Sequence, residues 1–254
     1  LMQEGLGYAI MTETPLVIID VMRAGPATGQ ASKAAQGDIL QARWGRHGDQ
    51  AVVVYAPSTP REAYTLTIEA FNTAEELRVP VIVIYDELVA HTWESFDLPK
   101  NVTIKERVFA KFGDKPFDSD DPRKAPPMPR LGEGFNVLVT GSTHDAYGYR
   151  FTASHEVHDR LVRRLVGKVL LNSNKLFKYE RIFSVVRPEI LLFSYGSPAR
   201  NAIVASKILY SEGVKSIGVL KLQTLWPLNE VVLRDILSRT RRVFVIEMNL
   251  GQLV

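Results

Sequence analysis

Directly after the apolar run PLVIIDVM (residues 15–22), the sequence turns to RAGPATGQASKAAQGDILQARWGRHGD (residues 23–49), rich in arginine, glycine, hydroxyl and amide groups. Arg23 heads the stretch, and its planar fork of N–H donors suits a carboxylate or a phosphate. Gly25, Pro26, Gly29 and their small neighbours allow backbone to approach a ligand closely. No Gly-Lys-Ser/Thr follows the glycines, so the stretch is not a P-loop. Spacing alone leaves Arg23 two roles, binding an anion or pairing with a core or interface carboxylate. His47, in GRHGD, titrates near pH 6.5 when unperturbed and suits an acid, a base or a hydrogen-bond donor to substrate. Its alternative is a turn histidine bonded to backbone.

Other chemistry-bearing residues carry less. Asp20 and Asp86 sit in or at the end of apolar strands, where an unpaired carboxylate is costly, so each calls for a partner. His155 and His158 in HEVHD are three apart, not the four of a zinc HExxH helix, and fit a surface helix. Asn101 in NVT matches a glycosylation acceptor, which has no meaning in a cytosolic chain. SYGS (residues 194–197) offers a strand, one glycine and a helix start, a weak pointer to phosphate. Trp44, Trp93 and Trp226 read as core or interface anchors.

The elements that must position these residues follow from periodicity. Residues 15–22, 51–57 and 79–87 are short apolar runs rich in β-branched residues, the form of strands covered on both faces. Between the last two, Ser58 or Thr59 caps a helix, Pro60 fits its first turn, and Ala63, Leu66, Ala70, Phe71, Ala74 and Leu77 form its apolar stripe. Strand, helix, strand at this spacing is a parallel crossover, and Arg23 falls at a strand's carboxyl end, where open α/β sheets gather ligands. Residues 112–135 hold five prolines and read as a linker or extended arm, followed by a possible strand and turn at NVLVTGSTHDAYGYR. SHEVHDRLVRRLVGKVLL gives an amphipathic surface helix, with Val157, Leu161, Leu165 and Val169 inward and Arg160, Arg163, Arg164 and Lys168 mostly elsewhere. Strands at residues 190–195, 216–221 and 243–248, with helices at 198–212 and 228–238, make a second, smaller α/β unit with its own core. The division expected is 1–110, then 111–180 as linker and helix, then 181–254. The first unit shows about three strands, few for a covered sheet, and both ends read as cut, so N-terminal sequence of this domain is expected outside the chain.

Composition bounds the function. The 254 residues are 46% apolar and 23% charged, ordinary for a globular chain. No run approaches the roughly 18 to 20 apolar residues that span a bilayer, and LMQEGLGYAI is no signal peptide, so a soluble, cytoplasmic chain is expected. The absence of cysteine excludes disulfides, a cysteine nucleophile and a thiolate-held iron–sulfur cluster in this chain. Net charge is only +3, too little to imply nucleic acid. Residues 1–110 carry 9 basic and 14 acidic side chains against 22 and 14 in the rest, which supports a boundary near 110.

Several separate stretches together resemble a known family. EGLGYAIMTETPLVIIDVMRAGPATGQASKAAQGDILQARWGRHGD, VTGSTHDAYGYR, SYGSPARNA, LQTLWPL and VIEMNLGQLV resemble, in order, segments of the alpha subunit of 2-oxoacid:ferredoxin oxidoreductases, particularly the 2-oxoglutarate type. The resemblance implies an incomplete thiamine-enzyme pyrimidine-type doubly wound domain followed by a transketolase C-terminal-like α/β domain. It implies oxidative decarboxylation of a 2-oxoacid with thiamine diphosphate, acyl transfer to coenzyme A, and electrons passed to ferredoxin. Thiamine diphosphate with its Mg2+ would be held mainly by a beta subunit that also carries the iron–sulfur cluster, with gamma and delta subunits as further partners. Arg23 matches the family arginine that pairs with the 2-oxoacid carboxylate, and His47 joins it as the second candidate catalytic residue. Thr28, Gly29 and Gln30 are the cofactor-binding candidates, and no metal ligand is expected. The usual threonine or serine and proline around Ala31 and Ser32 are missing, as are an upstream Tyr-Pro-Ile-Thr-Pro loop and the glutamate that activates thiamine. Two alternatives stand beside this reading. A non-catalytic α/β scaffold predicts Arg23 and His47 exposed or locked in internal ion pairs with no cleft; an independent thiamine enzyme needs a Gly-Asp-Gly diphosphate motif that this sequence lacks.

Overall fold

The computed structural model describes residues 2–183 and 185–253. Helix α1 (Met2–Met11) leads into β1 (Leu16–Met22), and a short helix α2 (Ile39–Trp44) precedes β2 (Val53–Tyr55). Helix α3 (Pro60–Leu77) then crosses to β3 (Pro80–Asp86), which ends in the short α4 (Glu87–His91). The start of α3 is fixed as expected. Thr59 Oγ1 accepts from Glu62 N at 3.1 Å while the Glu62 carboxylate accepts from Ser58 N at 2.8 Å. Such reciprocal capping contributes about 1 kcal/mol and marks where the helix begins. β3 lies between β1 and β2, parallel to both, with Ile18 opposite Ile82 and Val54 opposite the same residue.

After α4 the chain has no helix or strand until α5 (His155–Leu170), only isolated bridges such as Phe109 with Met128 and His144 with Arg150. The arm expected at 112–135 is thus longer than its proline content suggested. The strand considered at NVLVT does not form. Leu138 and Val139 are exposed, and no neighbouring strand pairs with them. Helix α5 buries Leu161, Leu165 and Val169, but it buries Arg164 and Lys168 on the same side, against the expected pattern.

The reason is Glu13. This fully buried residue, with a left-handed φ of 52°, receives both Nη atoms of Arg164 at 2.7 and 2.8 Å and Lys168 Nζ at 2.7 Å. Arg78, the left-handed cap of α3, donates from Nε to Glu13 O at 3.2 Å. Its Nη1 donates to the carbonyls of Pro116, Pro126 and Pro127 at 2.7, 3.1 and 3.2 Å. One buried cluster therefore ties the starts of β1 and β3, helix α5 and the proline-rich arm together. Burial opposes the Glu13 charge, but Lys168 and Arg164 outweigh it and hold the carboxyl far below its ordinary range. Burial pulls Lys168 down to about 8 and Arg78 to about 10.

After α6 (Ser173–Leu176), whose Leu176 packs into the core of the first sheet, the second unit opens with β4 (Tyr179–Phe183), followed by β5 (Ile190–Tyr195), α7 (Gly196–Ser211) and β6 (Ile217–Leu222). Then come β7 (Thr224–Trp226), α8 (Glu230–Leu237) and β8 (Arg242–Ile246). Its sheet runs β4-β6-β5-β8, parallel except for β4. β7 leaves that unit and pairs antiparallel with β2, Val54 opposite Trp226, giving the first sheet its fourth strand. Ile82, Ile84 and Val54 of the first sheet share one core with Leu191, Phe193, Leu220 and Leu222 of the second. Each such leucine contributes about 1.5 to 3 kcal/mol by leaving water. The expected separate core exists only on the outer face, around Leu192, Ala202, Ile217 and Val219.

Candidate active-site loop

Arg23 emerges at the carboxyl end of β1, as the strand pattern predicts. Its backbone is held on both sides: Arg23 N donates to Asp38 Oδ2 at 3.1 Å, and Arg23 O accepts from Gly37 N at 3.1 Å. The side chain is exposed and donates from Nη2 to Ala27 O at 2.9 Å. Among the described residues no carboxylate pairs with it. The internal ion pair that spacing allowed is therefore not made, and most of the fork's donors face outward. The loop doubles back through a bridge between Ala24 and Gln30. Gly29, at φ 50°, makes that possible, since a Cβ there would lie 1.7 Å from Ala24 O. Its first task is thus loop closure, while Thr28 and Gln30 stand exposed beside it.

The second unit braces this loop from below. Gln36, fully buried, exchanges two hydrogen bonds with Met248, Gln36 N to Met248 O at 3.0 Å and Met248 N to Gln36 Oε1 at 2.9 Å. Its Nε2 donates to Tyr195 O at 3.3 Å, and Asn249 Nδ2 donates to Gln36 O at 2.8 Å. Asp86 finds the partner it required: Oδ2 accepts from Ser197 N at 2.9 Å and Oδ1 from Val89 N at 3.3 Å. The SYGS turn therefore places an internal carboxylate at the start of α7, where a phosphate would otherwise sit. Asp20 does not meet its expectation. It is half-buried and makes no side-chain hydrogen bond or ion pair among the described residues. Burial, with Asp38 nearby, pushes it up to about 6.

His47 is exposed and lies elsewhere. It precedes β2, whereas Arg23 follows β1, and both strands run parallel to β3, so the two residues stand at opposite ends of the sheet. They do not form one site in this chain. His47 instead lines a cavity of about 270 Å³ with Gln3, Tyr8, Arg46 and His158. His158 Nδ1 is 2.8 Å from Thr143 Oγ1, and no group of three or more His, Cys, Asp or Glu among the described residues is placed to hold a metal. Arg43 stacks on Trp44 at 4.5 Å and on Trp226 at 5.9 Å, while Trp93 is 98% exposed and anchors nothing here. Asn101 is exposed. Sequence reasoning passed over Asp38 and Gln36, polar loop residues whose side-chain partners lie just past the end of β1 and on a segment more than 200 residues away.

The fold and this loop place the chain in a class. Residues 1–164 match the model of the pyruvate flavodoxin/ferredoxin oxidoreductase family, thiamine diphosphate-binding, and residues 188–254 match pyruvate:ferredoxin oxidoreductase core domain II. The chain belongs to this oxidoreductase family, and its two α/β units are those of a thiamine-enzyme pyrimidine-type domain and a transketolase C-terminal-like domain. Within the family it resembles the 2-oxoglutarate-type alpha subunits. It is 43% identical over 258 residues to 2-oxoglutarate synthase subunit KorA of Methanothermobacter marburgensis, covering 100% of this chain and 68% of that one. The subunit of the same name from Methanocaldococcus jannaschii is 43% identical over 255 residues, with the same coverage of 100% and 68%. A solved 2-oxoglutarate:ferredoxin oxidoreductase from Magnetococcus marinus, with 2-oxoglutarate, coenzyme A and succinyl-CoA bound, matches with a TM-score of 0.89 at 26% identity. That match covers 99% of this chain and 45% of the solved one.

Proposed function

We propose that this chain works as the alpha subunit of a 2-oxoacid:ferredoxin oxidoreductase that decarboxylates 2-oxoglutarate or a close analogue, passing the acyl group to coenzyme A and electrons to ferredoxin. The observation that carries the proposal is Arg23, an exposed arginine with no carboxylate partner among the described residues, at the end of a parallel strand and on a loop braced from two units. Relatives named as 2-oxoglutarate synthase subunits support the substrate class. Arg23 grips the carboxylate of the 2-oxoacid and orients its oxo carbon, and Thr28, Gly29 and Gln30 shape the surface that faces the cofactor. His47 stands outside that site.

The residues here fit thiamine diphosphate only in part. The loop offers a free cationic fork and polar side chains, but no acidic cluster for the diphosphate's metal lies among the described residues. When bound, thiamine diphosphate supplies the nucleophilic carbon and the electron sink for decarboxylation. Its Mg2+ and diphosphate, like the iron–sulfur cluster, are assigned to a beta subunit, with gamma and delta subunits as further partners. The chain's role is to bind and orient substrate across that interface. Among the described residues no helix is long and apolar enough to cross a membrane, and a cytoplasmic enzyme is proposed.

The exposure of Arg23 also favours the scaffold reading, in which the loop contacts partners without touching substrate. Co-expression with the partner subunits separates the two. Enzyme function predicts coenzyme A-dependent reduction of ferredoxin or a viologen dye by 2-oxoglutarate, and Arg23→Ala should then cost about 2 to 5 kcal/mol in kcat/KM. Unchanged kinetics in that variant would leave Arg23 a scaffold residue.

A further inference from the structure

Asp38 occupies the position before the first turn of α2, where an aspartate ordinarily turns inward to accept a backbone N–H of its own helix. It does not. No side-chain cap bond forms, although its carbonyl accepts from Ala42 N at 2.8 Å to start the helix. The carboxylate reaches back instead, and Oδ2 accepts from Arg23 N at 3.1 Å. An N–H of the first turn that Asp38 leaves unserved, Leu40 N, donates to Gln252 Oε1 at 3.1 Å. Gln252 lies in the last loop of the second unit, where its own N–H and that of Gly251 are fixed on Asn249 Oδ1 at 3.0 and 2.9 Å.

We infer that Gln252 and Asp38 form a positioning relay for Arg23: Gln252 caps α2 from outside, which releases the Asp38 carboxylate to hold the Arg23 backbone in the pose that presents its fork to the substrate carboxylate. The inference rests on the carboxylate-binding reading of Arg23. Four observations fit together only in this way: a helix cap forgone, a foreign cap in its place, a carboxylate turned onto Arg23 N, and Gly37, one residue before Asp38, closing on Arg23 O. The relay couples the second unit to a residue at the edge of the first without any covalent or charged contact with substrate. Asp38 and Gln252 are therefore positioning residues.

The test uses the assembled enzyme with its partner subunits and reads two quantities, KM and kcat for 2-oxoglutarate, and amide hydrogen exchange across residues 16–40. Asp38→Ala should raise KM about tenfold, the worth of one lost hydrogen bond, with kcat nearly unchanged. Exchange at residues 23–37 should quicken at the same time. Asp38→Asn keeps an acceptor oxygen and should restore both. Gln252→Ala, at a position away from the substrate, should quicken exchange at Arg23 while that at Leu40 stays slow, because Asp38 then caps its own helix. If Asp38→Ala changes neither exchange nor KM while Arg23→Ala raises KM, the relay is wrong and the carboxylate reading survives. If Asp38→Ala quickens exchange but Arg23→Ala leaves KM unchanged, the relay stands as a mechanical link and the carboxylate reading falls.

Discussion

The two ends of the first sheet use arginine in opposite ways. At the strand starts, Arg78 and Arg164 are buried, and their donors are spent on Glu13 and on proline carbonyls. At the strand ends, Arg23 is exposed, held by its backbone, with one side-chain bond to its own loop. A guanidinium whose donors are consumed inside the fold is cement, and one whose donors are left outward while its backbone is clamped is available to a ligand. The contrast separates arginines consumed inside the fold from one left open to a ligand, without reference to any relative.

The sharpest way to break the contrast is to attack each end in turn. Glu13→Ala leaves Arg164 and Lys168 buried without their counter-charge and should cost about 3 to 5 kcal/mol of stability, measured as a urea midpoint. Arg23→Ala should move the same midpoint by less than about 0.5 kcal/mol, as an exposed substitution does. Comparable losses at both ends would erase the distinction.

A second, smaller effect lies in pH. Glu13 titrates far below its unfolded value, so its contribution is present above about pH 4.5 and is lost as pH falls. Lys168 is depressed to about 8 in the fold, so the unfolded chain binds more protons between about 8 and 10.5, and its contribution to stability rises with pH there. Lys168→Met should flatten that alkaline slope, and an unaltered slope would show that Lys168 does not titrate in that window.

A third is more local. His144 is buried, donates from Nδ1 to Ser142 O at 2.9 Å, and packs edge-on against Phe117 at 4.8 Å. Burial pulls its pKa down, so the unfolded chain takes the proton first and stability should fall as pH drops below about 6.5. His144→Asn should remove that acid limb. Gly29→Ala is expected to cost less stability than Glu13→Ala and to raise KM, because the clash with Ala24 O reshapes the Arg23 loop and leaves the Glu13 cluster intact. A stability loss equal to that of Glu13→Ala would mean the loop is structural after all.

The sequence made some of this plain and hid the rest for physical reasons. β1, β3 and α3 were legible because their residues carry unbroken apolar runs, a cap and a helical stripe. β4 and β7 were not. YERIF sets two adjacent charges among its apolar residues and breaks the two-residue alternation, and TLW is three residues long, so each becomes a strand only by pairing with a distant neighbour. Arg164 and Lys168 read as solvent-facing because no local pattern announces a buried carboxylate 150 residues earlier. Arg23 was legible as a candidate from its place after a strand. That His47 stands at the other end followed only from knowing that β1 and β2 run parallel in one sheet.

The excursion of β7 has a mechanical consequence. Residues 224–226 complete the first sheet from within the second unit, so neither half can leave the other without stripping a strand from β2 and opening the shared core. The two units should melt in one cooperative transition, and amides of β2 and β5 should exchange with the same free energy. The segment that carries Gln252 is tied to the Arg23 loop by its own hydrogen bonds to Gln36 and Leu40. Any partner that shifts the second unit then moves Arg23 with it.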